Sequence, residues 1–177
     1  MSRAVSALVL LLVSVPAGAT TLESLSTERL SRESSGVIVG RLTGLTIDKS
    51  GPLAFTVHSI EVLESWKGDW GRSVEVSLPG GPNQRFSGVP AIRPGVEYVI
   101  FLWTSPSGRT QITGLAQGLF EIHDTDDGPR RAVRALNVET LVLPGSAPAE
   151  PPAANWPLDQ LRRRVLRAMS AEGEPAR

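Results

Sequence analysis

The amino-acid sequence predicts an all-β domain with flanking helices, built as a partly open Greek-key barrel of five or six strands. A Pro94-Gly95 turn starts an almost continuous apolar run over 96–103, rich in β-branched and aromatic residues. Both faces of that run are largely apolar, which is typical of a strand covered on both sides. Residues 73–78 alternate between polar and apolar, as a half-buried strand does. Helical patterns near each end indicate the two helices.

The chain begins with the pattern of a cleavable secretory signal peptide. Basic Arg3 precedes an apolar run over 4–15 and an Ala-Gly-Ala cleavage signal at 17–19. The apolar run is shorter than the roughly 20 residues that span a bilayer, and no later segment has the composition of a transmembrane helix. We therefore expect residues 1–19 to be removed and the mature protein to be exported, to the periplasm or the exterior.

Charge and cysteine content narrow the function classes. Removing Arg3 with the signal leaves 17 basic residues against 18 acidic ones, a net charge of −1. Such a chain offers no global field for nucleic acid or an anionic membrane, so neither is an expected partner. The sequence has no cysteine, so no disulfide stabilises the fold and no thiolate acts as a ligand or nucleophile.

Upstream of the central run, the sequence predicts one helix and three strands. The helix is expected over 20–34, because Thr20 and Glu23 have the spacing of a capping box. The strands are expected over 37–47, 53–66 and 73–78. The second of them changes phase at its middle, and a β-bulge near His58 would return its four main apolar residues to one face. These are Phe55, Val57, Ile60 and Val62.

Downstream, strands are expected over 96–103, 109–115, 119–123, 130–136 and 138–143. The barrel domain with its first helix therefore extends over 20–143. A Pro- and Ala-rich segment over 144–157 is typical of an extended tether. It leads to an amphipathic helix from Leu158 to about Ala171, within a final segment over 158–177. We expect the apolar side chains of this helix to pack onto the barrel and its arginines to face water.

Several strings, occurring in order, resemble a group of exported bacterial proteins whose role is not established. They are Thr-Leu-Glu at 21–23, Val-Ile-Val-Gly-Arg at 37–41, Ile-Glu-Val-Leu at 60–63, Trp-Lys-Gly at 66–68, Leu-Pro-Gly-Gly at 78–81, the run 93–102 and Gly-Leu-Ala-Gln-Gly-Leu-Phe at 114–120. Their order also resembles the netrin-like, oligonucleotide/oligosaccharide-binding (OB-type) barrel of the tissue inhibitors of metalloproteinases. This likeness implies the fold only, because those inhibitors chelate zinc through an N-terminal cysteine and this chain has no cysteine.

No metal or cofactor site is predicted. The sequence has two histidines, His58 and His123, so a zinc site would need carboxylates to complete it. Glu121 shares a strand face with His123, but polar side chains at a strand end are typically solvated. The acidic stretch 124–128 resembles the start of a calcium loop, yet Ala135 stands where the bidentate glutamate would be. A hairpin turn explains this stretch.

We expect the protein not to be an enzyme. The sequence contains neither a Gly-x-Ser-x-Gly elbow nor a His-Glu-x-x-His motif. A triad would have to use His58 or His123, and no orienting carboxylate is evident in the sequence around either. A hydrolase that uses a carboxylate pair on sugars stays open as a third hypothesis, because carboxylate separation cannot be read from sequence.

The sequence favours a binding or regulatory module that uses the loops of the barrel. The long polar loop over 79–90 is the predicted binding surface, with Gln84 and Arg85 in it and with Arg109 and Gln117 beside it. The expected partner is another exported or envelope protein, proteases included. The alternative is a carbohydrate- or oligonucleotide-binding barrel. In that case Trp66 or Trp70 would be exposed beside the loop and would stack on sugars or bases, whereas in ordinary packing they belong to the core or to the end of the barrel.

Overall fold

A computed structural model describes residues 24–82, 84, 86, 88–134 and 154–171. Within these ranges, two α-helices and one 3-10 turn accompany eight strands. The helices are α1 (Thr27–Glu33) and α2 (Leu158–Ser170), and the 3-10 turn is Leu115–Gly118. The strands are β1 (Gly36–Asp48), β2 (Phe55–Lys67), β3 (Ser73–Pro79), β4 (Glu97–Thr104), β5 (Thr110–Ile112), β6 (Leu119–His123), β7 (Arg131–Arg134) and β8 (Asn155–Pro157). Neither helix in this described part is long and apolar enough to cross a membrane.

All eight strands belong to one antiparallel sheet, in the order β3-β2-β1-β4-β6-β7-β8, and β5 pairs with the end of β4. β5 lies beside β3, but no pairing joins these two strands among the described residues. The all-β class with a helix near each end is therefore confirmed, while the sheet is not closed into a barrel. The physical reason is that β5 is only three residues long, since Gly114 turns the chain into the 3-10 turn with φ +64°.

The central strand is β4, as the sequence predicts. Its residues Tyr98 to Leu102 are all fully buried, and β4 pairs with β1 on one side and β6 on the other. Alternate side chains enter two different apolar cores. Tyr98, Ile100 and Leu102 belong to one core, and Val99 and Phe101 belong to the other. The two-sided apolar pattern therefore reflects burial on both faces.

The two cores define two faces of the sheet. The helix face packs against α1 and α2 through Leu30, Leu161 and Val165. The inner face is covered by Val76 and Leu78 of β3, by Ile112 of β5 and by the β3–β4 loop. The sheet thus curls over its inner core without a β-pairing that closes it.

Both helices pack on the helix face and on each other. α1 begins at the cap Ser26, whose hydroxyl accepts a hydrogen bond from the Arg29 backbone N–H at 3.2 Å. The cap predicted at Thr20 lies outside the described residues. α2 starts where predicted, and Arg164 in it stacks 4.0 Å above the Trp156 ring. The expectation that the apolar side chains of this helix pack onto the sheet is confirmed.

The β-bulge predicted near His58 is wrong. The β2–β3 ladder runs without a register shift, and the shift against β1 places the extra residue, Thr43, on β1 next to Gly44. Two further extra residues, Leu63 and Trp66, lie on β2. The irregularity at Thr43 falls on β1 because Gly44 beside it has no side chain that a regular strand would pack. As a result, His58 faces the inner core instead of marking a change of face.

The remaining strand predictions differ from the structure in length. The strand predicted over 109–115 shortens to β5, and the hairpin partner predicted over 130–136 is described only as β7, because its last residues lie outside the described residues. The edge strand predicted over 138–143 also lies outside them. The last residues of the predicted tether form β8, which pairs with β7.

Candidate functional site

The β3–β4 loop and the inner face of β2 enclose a pocket, the loop pocket, with a volume of about 440 Å³. Six apolar residues line it: Leu78, Pro79, Phe86, Val89, Pro90 and Ala91. The polar lining comes from Thr56, His58 and Gln84 and from the backbone of Gly80, Gly81 and Gly88. The exposed lining is divided about equally between polar and apolar surface, and the volume lies in the range of ligand or side-chain sites.

Backbone contacts hold the first part of the loop against β2. The Gly80 N–H donates to the Ala54 carbonyl at 2.8 Å, and the Thr56 hydroxyl donates to the Gly80 carbonyl at 3.0 Å. Gly80 has φ +116°, and a Cβ there would lie 2.7 Å from the Gln84 carbonyl oxygen. Glycine is therefore needed at position 80 for the tight turn that shapes the pocket.

His58 forms part of the pocket wall and is only 5% exposed. Its Nδ1 atom has no hydrogen-bond partner among the described residues. Burial lowers the pKa of His58, and the nearby backbone groups of Val76 and Thr56 oppose this shift only in part. At neutral pH His58 is thus an uncharged ring, with one N–H donor and one acceptor nitrogen to offer.

The pocket opens onto an apolar surface. Phe86 at its rim is 40% exposed, although large apolar side chains are normally covered. A second, smaller groove of about 220 Å³ lies next to it, because Leu45 of the groove pairs with His58 of the pocket in the β1–β2 ladder. This apolar groove is formed by Leu42, Thr43, Gly44, Leu45, Ile92 and Pro94.

Two of the predicted binding residues belong to the β3–β4 loop. Gln84 lines the pocket with an exposed side chain, and its backbone pairs with Gly81 across the turn. Arg85 lies outside the described residues.

Arg109 lines a third concave site, a polar cleft of about 630 Å³. Its Nη2 atom donates to Asp48 Oδ2 at 2.5 Å, and its guanidinium lies 4.5 Å from the centre of the Phe55 ring. The cleft also presents the Glu75 carboxylate and hydroxyls of the neighbouring strands. Hydrogen bonds from Ser50, then from Arg109, lower the pKa of Asp48, so this carboxylate stays ionised.

Gln117 is buried in the 3-10 turn and does not line the loop pocket. Its Oε1 atom accepts a hydrogen bond from the Leu25 backbone N–H at 2.7 Å, across 92 positions of sequence. This contact fixes the segment that leads into α1. Gln117 therefore acts in the packing of α1 onto the sheet. Its neighbour Ala116 contacts the loop, since the Ala116 N–H donates to the Gly88 carbonyl at 3.1 Å.

The two tryptophans lie away from the loop pocket. Trp66 is buried in the helix-face core, and its Nε1–H donates to Glu64 Oε2 at 3.0 Å. Trp70 is half-buried, and its Nε1–H donates to the Lys67 carbonyl at 3.2 Å. Its ring covers Gly36 so closely that a Cβ there would lie 2.0 Å from Nε1. Neither ring lines the loop pocket.

Sequence reasoning considered His58 only as a metal ligand or catalytic base and did not consider Phe86. The signal for His58 was available, because it occupies an apolar-facing position between Thr56 and Ile60 on alternating β2. Among the described residues, no group of three side chains is placed to hold a metal ion. His58 is therefore best understood as a wall of the pocket.

The lowered pKa of His58 predicts a loss of stability in mild acid. The unfolded chain takes up this proton near its ordinary pKa of about 6.5, while the folded chain resists it. The stability is complete above about pH 6.5 and falls as the pH drops towards the lower folded pKa. We expect the urea midpoint of the native protein to fall between pH 7.5 and 5.5, and that dependence to disappear in His58→Gln.

His123→Gln is the matched control, because the side chain of His123 is half exposed. This variant is expected to keep the pH dependence of the native protein. Asp48, whose pKa is lowered, contributes a similar loss only below about pH 4. An unchanged pH profile in His58→Gln would show that His58 is not the group responsible.

No protein-family model matches this chain, and no curated protein matches it either. The proposal for its function therefore rests on the geometry of the described residues and on the sequence.

Proposed function

We propose that the protein is an exported, non-catalytic binding module that takes an apolar side chain of a protein partner into the loop pocket. One observation supports this above all. An open pocket of about 440 Å³, walled by six apolar residues and a buried histidine, lies at the surface under the predicted binding loop. Such a pocket matches the central cavities into which anchor residues of protein partners insert.

A protein partner is favoured over a small molecule by the surface around the pocket. Only four large apolar side chains are exposed in the described part of the chain, and two of them, Leu45 and Phe86, flank the pocket and the adjoining groove. Both side chains flank concave surface, which suits an apolar contact with a partner. A small ligand would use the pocket but leave Leu45 in water.

The lining of the pocket supports binding without catalysis. His58 is the one titratable side chain among its described lining residues. A general base needs a partner group that orients it, and the described lining provides no carboxylate for this.

Export is supported by the signal-like residues 1–19. The periplasm or the exterior is the proposed location, and another exported or envelope protein, a protease among the candidates, is the proposed partner class.

Site-specific photo-crosslinking tests the surface directly. A photoreactive phenylalanine analogue at position 86 is expected to form a defined adduct in an exported fraction, because Phe86 stands at the pocket rim. The same analogue at position 166 is the control, since Leu166 is exposed to a similar degree, 42%, but lies on α2. Filling the pocket by Val89→Trp in the same protein is expected to abolish the adduct at position 86.

The expected adduct has to depend on the pocket. Equal adducts at positions 86 and 166, or an adduct that survives Val89→Trp in a folded protein, would contradict the proposal. So would a double variant, Gln84→Ala with Arg85→Ala, that leaves every detected interaction unchanged. Circular dichroism and the urea midpoint of each variant separate loss of binding from loss of folding.

A second candidate, the carbohydrate- or oligonucleotide-binding barrel, draws on the polar cleft. Hydroxyls, the Glu75 carboxylate and the Asp48–Arg109 pair line this cleft and suit a hydroxyl-rich ligand. Trp66 and Trp70, the stacking residues that this function called for, lie elsewhere. Glycan binding that persists in Val89→Trp and is lost in Glu75→Ala would favour this candidate.

The same cleft bears on the hydrolase hypothesis, because two carboxylates, Asp48 and Glu75, line it. Glycoside hydrolysis needs one carboxyl that keeps its proton near neutral pH. The lowered pKa of Asp48 makes it unsuitable as that acid.

A further inference from the structure

The second half of β1 has a free edge. β1 pairs with β4 only over Gly36–Arg41, and the isolated bridge from Leu42 to Pro94 ends the pairing on that side. Beyond this bridge, residues 44–48 pair with β2 alone, and Thr43 is the extra residue that has no partner in the ladder. Their backbone groups make no hydrogen bond to any other segment in the described part of the chain. The donors and acceptors that point away from β2 are therefore open to a new strand.

This edge differs from the edges of β8, β3 and β5, and also from the second half of β2, where the extra residues Leu63 and Trp66 interrupt the ladder. β8 is only three residues long and ends in Pro157, two features that block strand addition. The open sides of β3 and β5 face each other across the unclosed seam. The β1 edge instead borders the apolar groove, and its Leu45 is 54% exposed.

The groove gives the edge a preference for apolar side chains. Leu42, Leu45 and Ile92 present apolar surface next to the unpaired backbone. A strand added to β1 would direct alternate side chains into this groove, because successive residues of a strand point to opposite faces. The strand's apolar residues would thus lie within reach of the adjoining loop pocket.

Cations stand at both ends of the edge, next to an Asp48 carboxylate that is already paired with Arg109, and they define the flanks of the partner. Arg41 stands at one end, Lys49 at the other, and Arg93 beside Pro94. Arg41 and Arg93 hold Glu61 and Glu121 in ion pairs in which the arginine side chains stay 42% and 61% exposed. The Arg41–Glu61 pair is exposed on both sides and therefore weak, so the Arg41 guanidinium can accept a further carboxylate, whereas Arg93 holds a Glu121 side chain that is only 17% exposed. Lys49 makes no ion pair within the described part of the chain.

We propose that residues 43–48 of β1 bind the partner by strand addition, and that the partner supplies an extended segment with apolar alternate residues and acidic flanks. This inference rests on the proposed function, since it describes how the protein partner of the loop pocket is held. Backbone pairing supplies affinity in this mode, and the pockets for alternate side chains supply selectivity.

The test uses displayed random peptides as the probe, selected on the full mature chain. Selected sequences are expected to alternate apolar and polar residues and to carry Asp or Glu at their ends. Binding of a synthetic selected peptide is expected to slow amide hydrogen exchange in residues 43–48. N-methylation of the peptide backbone is expected to weaken binding at every second position, because only alternate N–H groups point to β1.

Leu45→Lys is expected to raise the Kd about tenfold or more, equivalent to about 1.4 kcal/mol. Leu166→Lys, at a comparably exposed leucine on α2, is expected to leave the Kd unchanged. A selection that yields no binder, N-methyl effects without the period of two, or exchange that slows everywhere except 43–48 would overturn the strand-addition proposal.

The two proposals fail in distinguishable ways. If the peptides lose binding in Val89→Trp but do not protect residues 43–48 from exchange, the loop pocket remains the partner site and strand addition is excluded. Peptides that protect residues 43–48 and bind equally well to Val89→Trp would support strand addition and remove the loop pocket as the partner site.

Discussion

Gly118→Ala is expected to lower the free energy of unfolding by about 3 kcal/mol, the upper range for inserting one carbon into a packed site. A Cβ on Gly118 would lie 2.2 Å from the Thr113 carbonyl oxygen and 3.1 Å from Ile112 Cγ2. The carbonyl cannot withdraw easily, because Thr113 is fixed on both sides. Its N–H donates to the Phe101 carbonyl at 2.8 Å, and its hydroxyl lies 2.8 Å from the Ser34 hydroxyl.

Urea denaturation followed by tryptophan fluorescence measures this loss. Gly51→Ala is the matched control, since a Cβ on Gly51 meets no atom within 4 Å. That variant is expected to stay within about 0.5 kcal/mol of the native protein. Equal stability of the two variants would mean that the 3-10 turn does not approach β5 as closely as described.

Phe101→Ala is expected to cost about 3 to 5 kcal/mol, the usual range for removing a fully buried aromatic ring. Phe101 is fully buried at the centre of β4, and its ring centre lies 5.8 Å from that of Phe120. The substitution removes apolar contacts in the core between the sheet and the two helices. It leaves a cavity, which the surrounding side chains fill only in part. Because a domain of this kind is stabilised by only about 5–15 kcal/mol, much of the protein is expected to unfold at moderate urea concentrations.

Phe86→Ala is the control that separates folding from binding. Phe86 is a phenylalanine of the same chain, but it is 40% exposed at the rim of the loop pocket. Its removal is expected to change the urea midpoint little and to weaken partner binding. If Phe86→Ala destabilised the fold as strongly as Phe101→Ala, the ring would be a core residue and the proposed rim of the pocket would be wrong.

The two proposals give the β3–β4 loop and the β1 edge complementary roles. The loop pocket offers a cavity for one anchor side chain, with His58 as its neutral polar wall. The β1 edge offers a line of backbone groups next to the apolar groove. A partner that uses both would gain affinity from main-chain pairing and selectivity from the cavity.

Sequence reasoning selected the loop that forms the pocket but not all of the lining residues. Gly80 and Gly81 marked a turn, and Gln84 follows in the pocket lining, because loop chemistry is local. His58 was missed because its role depends on the β3–β4 loop, which folds back over β2 from more than 20 positions away. Gln117 was placed beside the loop on sequence grounds, yet its amide binds the Leu25 backbone.

By itself, the sequence determined the all-β class, the central strand β4 and the amphipathic helix α2. Each of these follows from the spacing of apolar residues along one short segment, because burial on one or two faces requires that spacing. The tertiary structure alone decided that the bulge falls at Thr43, that β5 stops before it can close the sheet, and that residues 43–48 keep an unpaired edge. These features depend on which distant segments meet and how closely, and no local pattern of residues carries that information.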